Sequence, residues 1–244
     1  MKAAINGGRT RSEHPGVPLT LDEIVGEARR VIDAGADIVH THTFDDAGRQ
    51  SIAAGPIAAA VERFNADIPG ISVGTTVGLW TCDGHRDRLR AIESWTLVPE
   101  FVAVAYSEEG ADEAVRLLVD RGIPVETAVW SLDDVPALLD SAVLDRHIRV
   151  LVEPETQDPD EAVRVCRTAA EQLRAGGVTA PLLYHGDGAT VWPVLRAALA
   201  DGVQARIGFE DGITLPDGTV AAGNADLVAA AVAEERQLTN SRTR

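Results

Sequence analysis

The feature that most constrains the fold of this chain is an alternation that runs its whole length. A short apolar run, often rich in β-branched residues, gives way to a polar loop and then to a stretch with helical period. The apolar runs are Lys2–Ile5, Ala36–His40, Gly70–Thr75, Phe101–Ala105, Ile123–Thr127, Ile148–Val152, Pro181–Leu183 and Ala205–Ile207. The period predicts helices near Leu21–Ala34, Gly55–Phe64, Gly84–Trp95, Glu108–Asp120, Leu132–Asp140, Pro159–Ala175, Thr190–Ala200 and Asn224–Glu235. Local signals agree with this reading. Thr20 stands three residues before Glu23 in a capping-box pattern, and Asp158-Pro159 reads as an N-cap with proline at N1. Glycine closes helices in Asp33-Ala34-Gly35-Ala36 and Asp120-Arg121-Gly122-Ile123. Strands and helices in strict alternation predict an α/β chain folded as one (β/α)8 TIM barrel over residues 1–244. A doubly wound sheet would alternate too, but no GxGxxG turn follows the first strand.

Composition narrows the partners. With 22 basic against 38 acidic residues the formal charge is −16, which argues against nucleic acid, whose phosphates need a basic face. No apolar run approaches the ~20 residues of a membrane span, and the N-terminal residues turn polar too soon for a signal peptide. Cys82 and Cys166 form no CxxC, so the expectation is a cytoplasmic, reduced protein without a membrane partner. Lys2 is the only lysine and opens the first strand, the wrong end of a barrel for Schiff-base chemistry.

Barrel enzymes place their chemistry at the carboxyl ends of the strands. At one such end lies Val39-His40-Thr41-His42-Thr43, where strand alternation turns both histidines to one side, within reach of one metal ion. Two histidines hydrogen-bonded in a polar barrel mouth are the alternative. The end of the eighth strand, Arg206-Ile207-Gly208-Phe209-Glu210-Asp211, offers a carboxylate as third ligand. Two histidines and a carboxylate leave a zinc ion one open position for substrate. A surface turn with solvated charges is the alternative for this segment, and Arg206 either clamps a substrate carboxylate or pairs with Asp211.

Weaker candidates surround these. Thr75 and Thr76 offer a hydroxyl-lined wall, or plain turn chemistry. Gly186 and Gly188, in His185-Gly186-Asp187-Gly188, precede a helix where barrels often bind phosphate, or they make an ordinary tight turn. Arg9 reaches the mouth from the first loop, or forms a structural salt bridge. Trp80, Trp130 and Trp192 follow strand ends and line an apolar pocket or pack in the core.

Taken together, the chain resembles the β-keto acid cleavage enzymes. The matching pieces are Asn6-Gly7-Gly8-Arg9, His14-Pro15, Pro18-Leu19-Thr20, Gly35-Ala36-Asp37-Ile38-Val39-His40-Thr41-His42, Val125-Glu126, His185-Gly186-Asp187-Gly188 and Arg206-Ile207-Gly208-Phe209-Glu210-Asp211. The resemblance implies zinc and the condensation of a β-keto acid with acetyl-CoA to give acetoacetate and a new acyl-CoA. It places the zinc ligands on His40, His42 and Glu210, the activating pair on Arg206 and Asp211, and a further catalytic carboxylate on Glu126, at the end of the fifth strand; a buried ion-pair partner for an arginine is the alternative for Glu126. Which of Arg206 and Asp211 is the base stays open at this point. A homo-oligomer, such as a tetramer, is also implied, with Leu227, Val228 and Val232 as candidates for its surface.

Two departures bear on substrate: Phe44 follows the histidines where an arginine is expected, and the tail Gln237–Arg244 lacks the usual ending. With Phe44 and the tryptophans, the expectation is a keto acid with an apolar tail, drawn to a positive patch at Arg206 and Arg9. A metal-dependent lyase or hydrolase of a keto acid that does not use CoA is the alternative function. A non-catalytic binding protein is a third. An amidohydrolase would carry its histidine pair on the first strand, not the second.

Overall fold

The computed structural model describes residues 1–242. Residues 243–244, the end of the unusual tail, lie outside the described residues. The strands are β1 (Lys2–Ala4), β2 (Ile38–Thr41), β3 (Ser72–Thr76), β4 (Val102–Ala105), β5 (Val125–Val129), β6 (His147–Val152), β7 (Leu182–Tyr184) and β8 (Gln204–Ile207). The helices are α1 (Leu21–Asp33), α2 (Ala54–Asp67), α3 (His85–Ser94), α4 (Ala111–Asp120), α5 (Asp134–Leu139), α6 (Pro159–Ala175), α7 (Val191–Asp201) and α8 (Asn224–Arg242). Each strand pairs in parallel with the next and β8 closes on β1, so the (β/α)8 barrel expected from the alternation is the fold. The start signals hold as well: Thr20 and Glu23 make both bonds of the capping box, and Asp158 caps α6 ahead of Pro159.

Two apolar zones form the core. The larger fills the layer between strands and helices, with Val39, Val73, Val102, Val104, Val125, Val150 and Ile207 meeting the inner faces of the helices. The smaller lies inside the barrel, where Ala105, Ala128, Leu151 and Leu183 pack together under Trp130. Leu227, Val228 and Val232 belong to the larger zone and are 0%, 0% and 8% exposed. They hold α8 on its own barrel, which corrects the expectation that they form an oligomer surface.

The strand ends moved by one or two residues, and at β5 this matters. The apolar run Ile123–Thr127 put Glu126 near the end of its strand. In the structure the N–H of Ile123 closes α4 by donating to the Leu118 carbonyl at 2.9 Å, and Pro124 has no N–H to give. The strand therefore begins at Val125, and Glu126 is its second residue, facing into the amino-terminal half of the barrel. Its carboxylate pairs with Lys2 Nζ and with the Arg149 guanidinium, all three being buried. Lys2 also lies over the Phe101 ring, 5.1 Å from its centroid. Burial, aided by the charges of Arg206 and Arg149, pulls the Lys2 ammonium well below its usual range. Glu126 is thus the keystone of a buried ion cluster below the mouth, which corrects its placement at the catalytic end.

Removing one member of such a cluster strands the other charges in low dielectric. Glu126→Ala should cost about 3–5 kcal/mol, a fall in Tm of roughly 6–20 °C. Replacing Lys2, Glu126 and Arg149 together by apolar residues of similar volume should recover most of that loss. Thermal melts of the two variants check this, and a Glu126→Ala protein melting with the wild type would refute it.

Candidate active site

The mouth is built from the carboxyl ends of β2, β6, β7 and β8. His40 pairs in register with Ala4 and Gly74, and His42 follows two residues later on the same side. Their Nε2 atoms each lie 3.5 Å from a different oxygen of Glu210, and potential ligand atoms of the three residues lie within 4.8 Å of one another. Glu210 reaches this position because Gly7 has no side chain: a Cβ there would stand 2.2 Å from Glu210 Cγ. Gly7 also has a φ of +57°, which favours glycine.

Residues around the cluster prepare it for a cation. Gln50 Nε2 donates to the Gly7 carbonyl at 2.9 Å, so its Oε1 is the acceptor for Trp80 Nε1 and His42 Nδ1, both at 2.8 Å. The His42 proton therefore sits on Nδ1, leaving the Nε2 lone pair for a metal. Asn6 accepts from the backbone N–H of His42 at 2.8 Å and donates to its carbonyl at 3.1 Å, locking the strand end. Trp80 stacks beside the His42 ring, with centroids 6.1 Å apart. Burial holds the His40 imidazole well below its ordinary pKa, in the neutral form that ligates. Glu210 Oε2 is buried with no hydrogen-bond partner, a position a bound cation would satisfy. Two imidazoles and a carboxylate are a zinc donor set, so the residues present fit the metal.

Arg206, buried in the barrel, joins the cluster to its neighbour. Its Nη2 lies 2.7 Å from Glu210 Oε1 and 2.6 Å from Asp211 Oδ1, and its Nε donates to Asp211 Oδ2 at 3.1 Å. Burial opposes the Arg206 charge, but Asp211 and Glu210 overcome it and raise its pKa above an already high value. Burial likewise opposes ionisation of Glu210, yet Arg206 and the two histidines hold that carboxyl well below the usual range. At Asp211 burial wins over Arg206, and the carboxyl is pushed above its ordinary value. The pair is thus a locked guanidinium beside an unusually basic carboxylate.

The remaining expectations divide. Thr76 faces inward, its hydroxyl accepting from Gly78 N–H at 3.0 Å. Thr75 pairs with Thr41, which lies between the inward histidines, so both face the helices, and Thr75 leaves the proposed wall. The loop at Gly186 and Gly188 folds against β8 rather than presenting amides: Gly188 N–H donates to the Asp211 carbonyl at 2.9 Å, Ala189 N–H to Gln157 and Thr190 N–H to the Asp187 carbonyl. A Cβ on Gly186 would collide with the Thr190 backbone at 2.5 Å. Arg9 also braces β8, donating to the carbonyls of Phe209 and Asp211 and pairing with Glu13. Trp192 packs in the core with Nε1 on the Thr214 carbonyl, whereas Trp130 lines a rim cavity of about 290 Å³ with Glu153 and Asp187. Phe44 lines a separate cavity of about 590 Å³ between α1 and α2 and does not wall the metal cluster. Glu153, Asp187, Glu210 and Asp211 outnumber Arg9 and Arg206, so the side chains do not make the expected positive patch.

Sequence reasoning passed over Asn6, Gln50 and Glu153 as individual actors. Asn6 was legible only as part of a motif, and Gln50 and Glu153 lie in loops without a pattern. The second of these loops carries a buried contact: His185, 1% exposed, sits with Nε2 3.2 Å from Glu153 Oε2 and Nδ1 3.6 Å from Asp211 Oδ1. Burial works against the Glu153 charge, but His185 outweighs it and lowers the carboxyl's pKa.

A closed (β/α)8 barrel with a histidine–carboxylate cluster at its carboxyl face defines a class of catalytic barrel suited to holding a divalent ion at its mouth. The chain belongs to the beta-keto acid cleavage enzyme family, whose model matches residues 1–241, and as a member it is an enzyme cleaving β-keto acids. It is similar to the 3-keto-5-aminohexanoate cleavage enzyme of Fusobacterium nucleatum subsp. nucleatum, 25% identical over 97% of this chain and 90% of the relative. The enzyme of the same name from Acetoanaerobium sticklandii is 24% identical over 93% of this chain and 87% of its own length. Among solved structures, ObcA in a ternary complex with a C4-CoA adduct and oxalate superposes with a TM-score of 0.73 at 19% identity, covering 93% of this chain. This chain spans 65% of that ObcA chain, and the likeness shows the barrel alone.

Proposed function

We propose that this enzyme condenses a β-keto acid with acetyl-CoA to give acetoacetate and a new acyl-CoA, with zinc held by His40, His42 and Glu210. The observation that supports it most is the adjacency of the three-ligand cluster to the Arg206–Asp211 pair, bridged by one guanidinium. A bound zinc ion would polarise the keto oxygen and lower the cost of removing a proton from the carbon between the two carbonyl groups. Asp211 is the base: its carboxyl is more basic than an ordinary aspartate, while the Arg206 guanidinium is held charged. Arg206 holds Asp211 and Glu210 in place and supplies positive charge where negative charge develops. Glu126 takes no part in this step, because it lies in the ion cluster with Lys2 and Arg149. Thr76 and Trp80 border the space beside the cluster. The assembly expected from the resemblance, a homo-oligomer, would use a surface other than the buried residues of α8.

The substrate tail is uncharged and apolar on this reading. A second carboxylate would meet Glu153 and Asp187 at the rim and would be buried without a partner, at a cost of several kcal/mol. Each buried methylene against Trp130 or Trp80 instead contributes about 0.8 kcal/mol. The test is a panel of β-keto acids with apolar, amino-bearing and diacid tails, offered with acetyl-CoA and zinc. Acetoacetate and acyl-CoA should form, fastest with apolar tails. A preference for diacids or amino-bearing chains overturns the tail assignment and leaves the reaction standing. Keto acid consumed without any acyl-CoA favours the CoA-independent lyase, and no turnover at all refutes the proposal.

A further inference from the structure

The mouth holds a second constellation that the reaction as described leaves idle. His185 is buried at the end of β7 between two carboxylates from different strands, Glu153 after β6 and Asp211 after β8. Neither ring nitrogen completes a hydrogen bond, although both are fully shielded from solvent. A buried polar ring without partners is costly unless it is held for a purpose or its bonds tighten in another state. Its neighbours are asymmetric. Asp211 Oδ1 already takes Arg206 Nη2 at 2.6 Å and faces His185 Nδ1, whereas Oδ2 takes only Arg206 Nε at 3.1 Å. The Asp211 main chain is pinned as well, its carbonyl accepting from Gly188 on the loop that carries His185.

We infer that Glu153 and His185 are a positioning pair that holds Asp211 by its Oδ1 and leaves Oδ2 directed at the substrate proton, an inference that rests on Asp211 being the base. Glu153 receives Nε2–H, and Nδ1 on the other side of the ring faces Asp211 Oδ1. The pair acts on the reacting carbon through Asp211 and holds no metal ligand. Its location explains why the His185-Gly186-Asp187-Gly188 loop gives its amides to the protein. The loop is a brace for the base, with Gly186 required for its close approach to Thr190.

The test reads proton removal apart from CoA chemistry. Purified metal-loaded wild type, Glu153→Ala, Glu153→Gln and His185→Asn are incubated with a β-keto acid in deuterium oxide without acetyl-CoA, and exchange of the protons between its carbonyls is followed by NMR above the enzyme-free rate. Melting temperature and metal content are measured for each, and kcat and KM with acetyl-CoA. Glu153→Ala and His185→Asn should slow exchange and kcat together by roughly 10- to 100-fold, as a misplaced catalytic group does, with KM and metal content held. Glu153→Gln, which keeps an oxygen acceptor for Nε2–H, should recover most of the rate. Because Glu153 is partly exposed, its variants test the inference even if His185→Asn does not fold. Exchange unchanged in Glu153→Ala, or a loss carried wholly by KM or metal content, overturns the positioning role while wild-type exchange leaves the base in place. A wild type that neither exchanges these protons nor turns over any keto acid overturns both.

Discussion

Asp211→Asn should lower kcat by roughly 10²- to 10⁴-fold, the range for losing a general base, with little change in KM or in bound metal. Asparagine keeps the shape and, through its amide oxygen, the bonds that Oδ1 accepts from Arg206 Nη2 and Nε; it loses the bond at Oδ2 and cannot accept the substrate proton. Arg206, the alternative named for the base, has its pKa raised further by Asp211 and Glu210 against the opposing effect of burial. The same variant should abolish exchange of the protons between the carbonyls in deuterium oxide. Retention of more than about a third of wild-type kcat would place the base elsewhere, since even the weakest general-base effects are near 10². A loss of metal in parallel would instead show that Asp211 supports the cluster through Arg206, which also holds Glu210 at 2.7 Å.

Removal of the metal should be as severe. Elemental analysis should find one divalent ion per chain in the wild type and almost none in His40→Ala or Glu210→Gln, with turnover lost in both. Each change leaves two ligands, too few to hold a catalytic zinc ion against water. Gln50→Ala should be milder, weakening metal affinity by about 10- to 100-fold, because it frees the tautomer and orientation of His42 without deleting a ligand. Metal retained at full stoichiometry in His40→Ala would overturn the ligand assignment. Full turnover after exhaustive chelation would overturn metal dependence itself.

The sequence alone determined the barrel and the elements that carry the site. Periodicity, capping signals at Thr20 and Asp158, and glycine stops are local properties, and a parallel sheet wrapped by helices is the solution that buries every strand. The histidine pair was legible because strand alternation is local too, and Glu210 because it closes the last strand. Tertiary structure alone decided three further matters. It put Glu126 in an ion cluster below the mouth, because the N–H of Ile123 went to closing α4 and Pro124 had none to give, so the strand started late. It divided Thr75 from Thr76, because the pairing of β2 with β3 sets Thr75 beside Thr41 on the outer face, and alternation then turns Thr76 inward. It brought Gln50, Glu153 and His185 to the site from loops that carry no period of their own. Such loops are placed by the barrel closing around them, and side-chain contacts between residues far apart in the chain have no local signature to read.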